Sequence, residues 1–85
     1  MEGIVKIINP TGLHARPAAL LVQKASSFPC NVSLIKDGTK ANAKSIMNVM
    51  ALGVGQNQQV TIVTEGEKEA EALQALVELL AGLKE

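Results

Sequence analysis

The sequence has almost no aromatic side chains. Among its 85 residues there is one phenylalanine, Phe28, and there is no tryptophan or tyrosine. Proteins that bind single-stranded nucleic acids stack the bases on aromatic side chains, and this chain has no such platform. Its eight basic and eight acidic residues cancel to a formal net charge of zero. We therefore expect no nucleic-acid partner and a core built from aliphatic side chains.

Cysteine and histidine are equally scarce, with one residue of each, Cys30 and His14. A lone cysteine cannot form an intramolecular disulfide, which fits a reducing compartment, and we expect Cys30 to pack as a small apolar residue. A structural zinc site is excluded because the ligands are too few. The chain shows neither a signal-peptide pattern nor an apolar run of membrane-spanning length, so we expect a cytoplasmic protein without membrane insertion.

The apolar periodicity predicts a two-layer α/β fold with the element order βαββαβα. Strand patterns cover residues 2–8, 31–36, 39–43 and 59–64, and helical patterns cover residues 15–27, 46–52 and 67–84. Asp37-Gly38, between the second and third strands, is a strong signal for a tight hairpin. We expect residues 1–85 to form a single domain whose helices cover one face of an antiparallel or mixed sheet.

The charged residues are distributed unevenly along the chain. Residues 1–60 carry six basic and two acidic side chains, a net charge of +4, and residues 61–85 carry two basic and six acidic ones, a net charge of −4. Two interpretations stay open. In the first, the last helix is a solvated acidic helix that follows a neutral body. In the second, the first part of the chain presents a basic face to acidic partners.

His14 lies in segment 12–18, Gly-Leu-His-Ala-Arg-Pro-Ala, just before the first predicted helix. The N–H groups of a first helical turn lack intrahelical partners, and the helix dipole adds positive charge, so an anion is stabilised there. The same field disfavours a protonated imidazole, and a neutral ring has a lone pair for nucleophilic attack. Arg16 can neutralise a phosphoryl group on that ring. The residues alone also allow a capping or surface histidine.

Ser45 is the second candidate, because it precedes the short helix predicted over residues 46–52. It is a good N-cap residue, and a phosphate there would be tolerated electrostatically. The apolar residues that follow it are too many for one face of a short helix. We expect Val49 and Leu52 to serve the core while Met47 and Met50 form an adaptable docking surface. The alternative is that all five apolar residues, Ile46 included, are buried.

Segments 12–18 and 44–47 resemble the two signature motifs of HPr, the histidine-containing phosphocarrier family of the bacterial phosphoenolpyruvate:sugar phosphotransferase system. The first is similar to the active-site signature, and Lys-Ser-Ile-Met at 44–47 is similar to the regulatory serine signature of Gram-positive-type members. The resemblance covers essentially the whole chain. It implies an open-faced β-sandwich with three helices on one side of four antiparallel strands.

The resemblance also implies what the site does. The family histidine, here His14, takes a phosphoryl group on Nδ1 from phosphorylated Enzyme I and gives it to the EIIA domain of a sugar permease, while Arg16 steadies that group. Such a protein is a carrier and not an enzyme, binds no metal or cofactor in this role, and is expected to be a monomer. The partner-docking residues implied by the resemblance are Ala15, Arg16, Ala19, Ile46, Met47 and Met50, with Leu52 nearby.

Ser45 matches the serine that HPr kinase/phosphorylase modifies in Gram-positive-type systems, where the product joins the catabolite control protein as a corepressor. One relative in the family lacks the histidine and serves regulation only, so a regulatory module acting through Ser45 is the alternative function. Two positions depart from the family pattern. Asn48 stands where many members carry glycine, and Ala51 stands where many carry serine or threonine. Both departures put the partner preference in doubt.

Overall fold

Four strands and three helices follow one another in the predicted order. The structure is a computed structural model that describes residues 1–84. Its elements are β1 Glu2–Lys6, α1 Ala15–Ser26, β2 Asn31–Lys36, β3 Thr39–Asn42, α2 Ile46–Ala51, β4 Gln59–Glu65 and α3 Glu69–Ala81. Among these residues no helix is both long enough and apolar enough to cross a bilayer.

The four strands form one sheet in the order β1-β4-β2-β3, and every neighbouring pair is antiparallel. Of the two sheet types predicted, the antiparallel one is therefore confirmed. The β2–β3 hairpin turns at Asp37 and Gly38, whose φ angles are 50° and 81°. Positive φ at both positions gives the turn a twist that matches the flanking strands.

The helices cover one face of the sheet and leave the other open. Strand residues alternate between the two faces, so Val60 and Ile62 of β4 are buried under the helices, while Ile4 of β1 is 66% exposed on the open face. Helix α3 packs on β1 and β4, and α1 packs against both α2 and α3. The largest fully buried apolar side chains are Ile7, Leu21, Leu34, Val49, Val60, Ile62, Leu76 and Leu80.

Three predicted boundaries were wrong by two or three residues, and each has a local cause. Strand β1 ends at Lys6 and not at residue 8. Beyond this point the Ile7 N–H donates to the carbonyl of Gln58 (2.9 Å), which precedes β4, so the regular strand pairing stops. Helix α3 begins at Glu69 and not at residue 67, because Lys68 has a φ of 64°. It ends at Ala81, with Gly82 as the C-cap, and not at residue 84. The other boundaries agree to within one residue, and Cys30 is buried as expected.

Candidate functional site

The loop before α1 is fixed by its own hydrogen bonds. The Gly12 N–H donates to the Asn9 carbonyl (3.2 Å), and the Asn9 side-chain Nδ2 donates to the Gly12 carbonyl (2.8 Å). Asn9 is only 1% exposed. Because both bonds join the same two residues, the turn that leads from β1 to His14 has little freedom to change shape.

Gly12 also holds this loop against the segment that precedes β4. Its φ is +64°, and a Cβ there would collide with the Val54 carbonyl oxygen and lie 2.7 Å from the Gly55 Cα. The next residue, Leu13, is buried, and its N–H donates to the same Val54 carbonyl (2.9 Å). Position 12 thus requires glycine for two reasons: the left-handed conformation and the close approach of two backbones.

His14 is the N-cap residue of α1, and its side chain makes no capping hydrogen bond. Its backbone carbonyl accepts from the Ala18 N–H (2.9 Å), which starts the helix. The ring is half-buried, and its Nε2 is buried with no hydrogen-bond partner among residues 1–84. The ring nitrogen that an approaching group can reach is therefore Nδ1.

The first turn of α1 supplies the positive environment that the sequence predicts. Arg16 is exposed in this turn, and the turn contains no acidic residue. Pro17 occupies the third helical position and is buried, so the turn is anchored to the core. The unpaired N–H groups of a helix start favour an anion, and Arg16 lies in the same turn, two residues after His14. The arrangement suits a nitrogen nucleophile that carries an anionic group.

Ser45 is the N-cap of α2, as predicted. Its Oγ accepts two hydrogen bonds, one from the backbone N–H of Asn48 (3.4 Å) and one from the side-chain Nδ2 of Asn48 (2.9 Å). Its carbonyl accepts from the Val49 N–H (3.0 Å). Ser45 is half-buried at the start of α2, and its unmodified hydroxyl stabilises that helix start.

The apolar residues of α2 divide between the core and the surface. Val49 is fully buried and Leu52 is 9% exposed, whereas Ile46, Met47 and Met50 are 41%, 79% and 43% exposed. The expectation that Val49 and Leu52 serve the core is confirmed, and the alternative that all five are buried is wrong. Leu52 remains a predicted docking residue, although so little of its side chain reaches the surface that it supports α2 from beneath.

Helix α1 carries the matching exposed positions. Ala15 and Ala19 are exposed one helical turn apart, and α1 packs against α2. We call the set Ala15, Ala19, Ile46, Met47 and Met50 the α1–α2 surface. Leu20, next to Ala19 in the chain, is also 44% exposed, and it was not among the predicted surface residues. A signal for it existed, because Leu20 falls outside the buried stripe formed by Ala18, Leu21 and Ala25.

Two lysines among the described residues bind backbone carbonyls. Lys36 donates from Nζ to the carbonyls of Leu52 (3.2 Å) and Gly53 (2.9 Å), at the C-terminal end of α2. Lys44 donates from Nζ to the Phe28 carbonyl (2.8 Å), just beyond α1. Lys36 and Lys44 thus help to hold the backbone in place, and the exposed basic residues of the first sixty are Arg16 and Lys24 of α1 together with Lys6 and Lys40.

Comparison with known proteins identifies the family. The family model "PTS HPr component phosphorylation site" matches residues 1–82. The chain belongs to the HPr family. HPr proteins are phosphocarriers and not catalytic enzymes, and the family also contains the HPr-like protein Crh. Among residues 1–84, no group of three or more histidine, cysteine, aspartate or glutamate side chains could hold a metal ion.

The similar proteins include both HPr-like Crh proteins and HPr proteins. The HPr-like protein Crh of Halalkalibacterium halodurans is 48% identical over 77 residues, 91% of this chain and 92% of that protein. The crystal structure of HPr-C-His from Thermoanaerobacter tengcongensis has a TM-score of 0.93 and 49% identity, and it covers 100% of this chain and 99% of that one. HPr from Bacillus anthracis has a TM-score of 0.90 and 44% identity, covering 94% and 95%.

Some HPr-family relatives are dimers. The crystal structure of Bacillus subtilis Crh, a domain-swapped intertwined dimer, has a TM-score of 0.78 and 50% identity, and it covers 89% of this chain and 87% of that one. An HPr dimer from T. tengcongensis has a TM-score of 0.74 and 55% identity, covering 88% and 86%. The expectation that this chain is a monomer therefore finds no support.

Proposed function

We propose that His14 accepts a phosphoryl group on Nδ1 from phosphorylated Enzyme I and passes it to EIIA domains during sugar uptake. The observation that carries this proposal is the state of the imidazole ring. Its Nε2 is buried, and its side chain makes no capping bond, so the opposite nitrogen is available at a helix start. Arg16, exposed in the same helical turn, supplies the counter-charge.

The transfer needs no base. The Nδ1 lone pair attacks phosphorus, and an N–P bond forms as the bond from phosphorus to the Enzyme I histidine breaks. The electron pair of that bond returns to the leaving imidazole. The phosphohistidine then carries negative charge beside the first-turn N–H groups of α1 and the Arg16 guanidinium. The onward step to EIIA repeats the same exchange with a new histidine nitrogen as the nucleophile.

The α1–α2 surface is the proposed docking site for both partners. Ile46, Met47 and Met50 present flexible apolar side chains that can repack against different proteins. Arg16 and Lys24 are exposed on α1, and their positive charge favours partners with acidic surfaces. One surface that binds successive partners is what a carrier in a transfer chain requires.

Ser45 is proposed as a regulatory phosphorylation site. A phosphate would add about −1.5 to −2 charges at the edge of the α1–α2 surface and repel acidic partners. HPr kinase/phosphorylase is the proposed modifying enzyme, and the catabolite control protein is the proposed partner of the product. The second candidate function is regulation alone, which is favoured by the 48% identity to Crh. The presence of His14 favours the carrier.

The remaining proposals concern the setting of the reaction. Residues 1–85 act as one domain, which is consistent with a family match over residues 1–82. The proposed location is the cytoplasm, where a carrier of this class meets its donor and acceptors. The dimeric relatives make a dimer of this chain an alternative to the monomer.

The carrier and the regulatory module are separated by one reconstitution. The chain is incubated with Enzyme I, Mg²⁺ and labelled phosphoenolpyruvate, and the label is followed into EIIA, with His14→Ala as the control. In parallel, both chains are treated with HPr kinase/phosphorylase and ATP and tested for binding to the catabolite control protein. The carrier predicts label transfer that His14→Ala abolishes, with Ser45 chemistry intact. Absence of label on a folded parent chain would favour regulation alone.

A further inference from the structure

The side chain of Asn48 holds the hydroxyl of Ser45. Its Nδ2 donates to the Ser45 Oγ at 2.9 Å, and the backbone N–H of the same residue donates to the same oxygen at 3.4 Å. The side-chain bond is the shorter of the two, although an N-cap serine ordinarily relies on the backbone bond. Asn48 therefore restrains this hydroxyl more tightly than the helix alone does.

This pair of bonds engages the atoms that phosphorylation needs. A serine hydroxyl has two acceptor lone pairs and one proton to donate, and both lone pairs here face donors of Asn48. In a kinase, a lone pair of Oγ must attack the γ-phosphorus of ATP. The new Oγ–P bond forms as the bond to the ADP oxygen breaks, and the hydroxyl proton passes to a base of the kinase. Oγ must therefore leave Asn48 before it can react.

We propose that Asn48 limits the rate at which an ATP-dependent serine kinase phosphorylates Ser45, by keeping the hydroxyl hydrogen-bonded to the start of α2. This inference rests on the proposed regulation through Ser45. Both partners lie at the surface, where water can replace a broken bond, so the restraint slows the reaction without preventing it. A side chain without a donor at position 48 leaves only the weaker backbone bond.

The test is the steady-state phosphorylation of Ser45 by HPr kinase/phosphorylase in the parent chain and two variants. Asn48→Ala removes the amide, and Asn48→Leu removes it while keeping the branched shape of the side chain. Because the restraint acts on the attacking oxygen, kcat should rise about fivefold in both variants while KM stays within about twofold. Gln74→Ala removes an exposed amide on α3 and should change neither constant.

A second measurement checks the restraint without a kinase. Scalar couplings in the NMR spectrum report the χ1 rotamer populations of Ser45, which should be narrow in the parent and broader in both variants. Equal kcat values with Ser45 phosphorylated in all chains would overturn the role of Asn48 and leave the regulation standing. A higher KM with unchanged kcat would also overturn it, because position 48 would then act in kinase binding. No phosphorylation of any chain would overturn both the regulation and this inference.

Discussion

His14 and Ser45 occupy the same structural position in two neighbouring helices, yet their side chains have opposite roles. Each is the N-cap residue of its helix, with an extended backbone and a carbonyl that accepts the first helical hydrogen bond. The Ser45 hydroxyl accepts a capping bond from the Asn48 N–H and a second bond from the Asn48 side chain, whereas the His14 ring makes no capping bond. One cap is engaged in the structure, and the other is free to react.

The difference shows how the fold can separate transfer from regulation. A group that must be modified and released in every cycle should not stabilise the helix it precedes, since each transfer would then loosen the protein. A residue modified only as a switch can contribute to stability in its unmodified state. Both positions adjoin the α1–α2 surface, so a charge on either can act on the same partners.

The largest expected effect is the loss of transfer in His14→Gln. Glutamine cannot form a stable phosphoryl adduct, so label from phosphoenolpyruvate should fall to the background. The free energy of unfolding should change by less than about 1 kcal/mol, because no capping bond is lost. Labelling and urea denaturation measure the two quantities. Substantial transfer by a folded variant would show that another residue carries the phosphoryl group.

The next effect concerns the loop that places His14. Gly12→Ala should destabilise the protein by about 3 kcal/mol or more, because the added Cβ meets the backbone of Val54 and Gly55 in a left-handed conformation. Gly53→Ala is the matched control. Gly53 has a φ of +63° with nothing near its Cβ, so only the conformational cost of about 1 kcal/mol applies. Equal losses in thermal or urea unfolding would mean that the close approach contributes nothing.

Ser45 variants separate the capping role from the charge. Ser45→Ala should cost about 1 kcal/mol of stability, and Ser45→Asp should keep most of it because aspartate is also a good N-cap. Ser45→Asp should nevertheless slow transfer from Enzyme I about tenfold at low salt, with recovery as salt screens the charge. Rates of phosphohistidine formation provide the measurement. A variant as fast as the parent at low salt would contradict the electrostatic account.

A Lys36 variant tests whether the contact of this lysine with the C-terminal end of α2 positions the helix. Lys36→Met removes the donor that binds the carbonyls of Leu52 and Gly53, so we expect a loss of about 1 kcal/mol and a higher KM for EIIA. Lys40→Met removes an exposed lysine of β3 and serves as the control for charge. If both variants bind EIIA equally well, the lysine contact does not position α2.

The smallest effect is a pH dependence that involves neither proposed phosphorylation site. The α-amino group of Met1 donates to Glu69 Oε2 (2.8 Å), which lowers the pKa of Glu69 and raises the pKa of the amino group. The stabilisation by Glu69 is complete above the ordinary carboxyl value of 4.5 and is lost as the pH falls through the lowered pKa. The stabilisation by the Met1 amino group is complete below pH 8.0, the ordinary pKa of that group, and is lost as the pH rises through the raised pKa.

Glu69→Gln should therefore flatten the dependence of the unfolding midpoint on pH at both ends of this range. Thermal unfolding between about pH 3 and pH 10 follows the change. Because the pair is exposed, the effect should shrink in high salt. A pH profile identical to that of the parent would show that the ion pair contributes nothing in solution.

Much of the fold and the centre of the site could be predicted from the sequence, because they depend on local patterns. Alternation and helical spacing predicted all seven elements, and Ser45 followed from N-cap chemistry. What escaped prediction depends on contacts between distant residues. The requirement for Gly12 arises at Val54, and Lys36 binds carbonyls 16 and 17 residues away. The bond from Asn48 to Ser45 is local, but only the geometry shows that the amide turns back toward the cap.

The most direct test of the central claim is to identify which ring nitrogen carries phosphorus. The chain contains one histidine, so a ¹⁵N-labelled sample phosphorylated with Enzyme I and phosphoenolpyruvate gives ring signals from His14 alone. The buried Nε2 and accessible Nδ1 predict phosphorus–nitrogen coupling at Nδ1 only. Coupling at Nε2, or unshifted ring signals under conditions that phosphorylate an established HPr, would contradict the account of how α1 presents this residue.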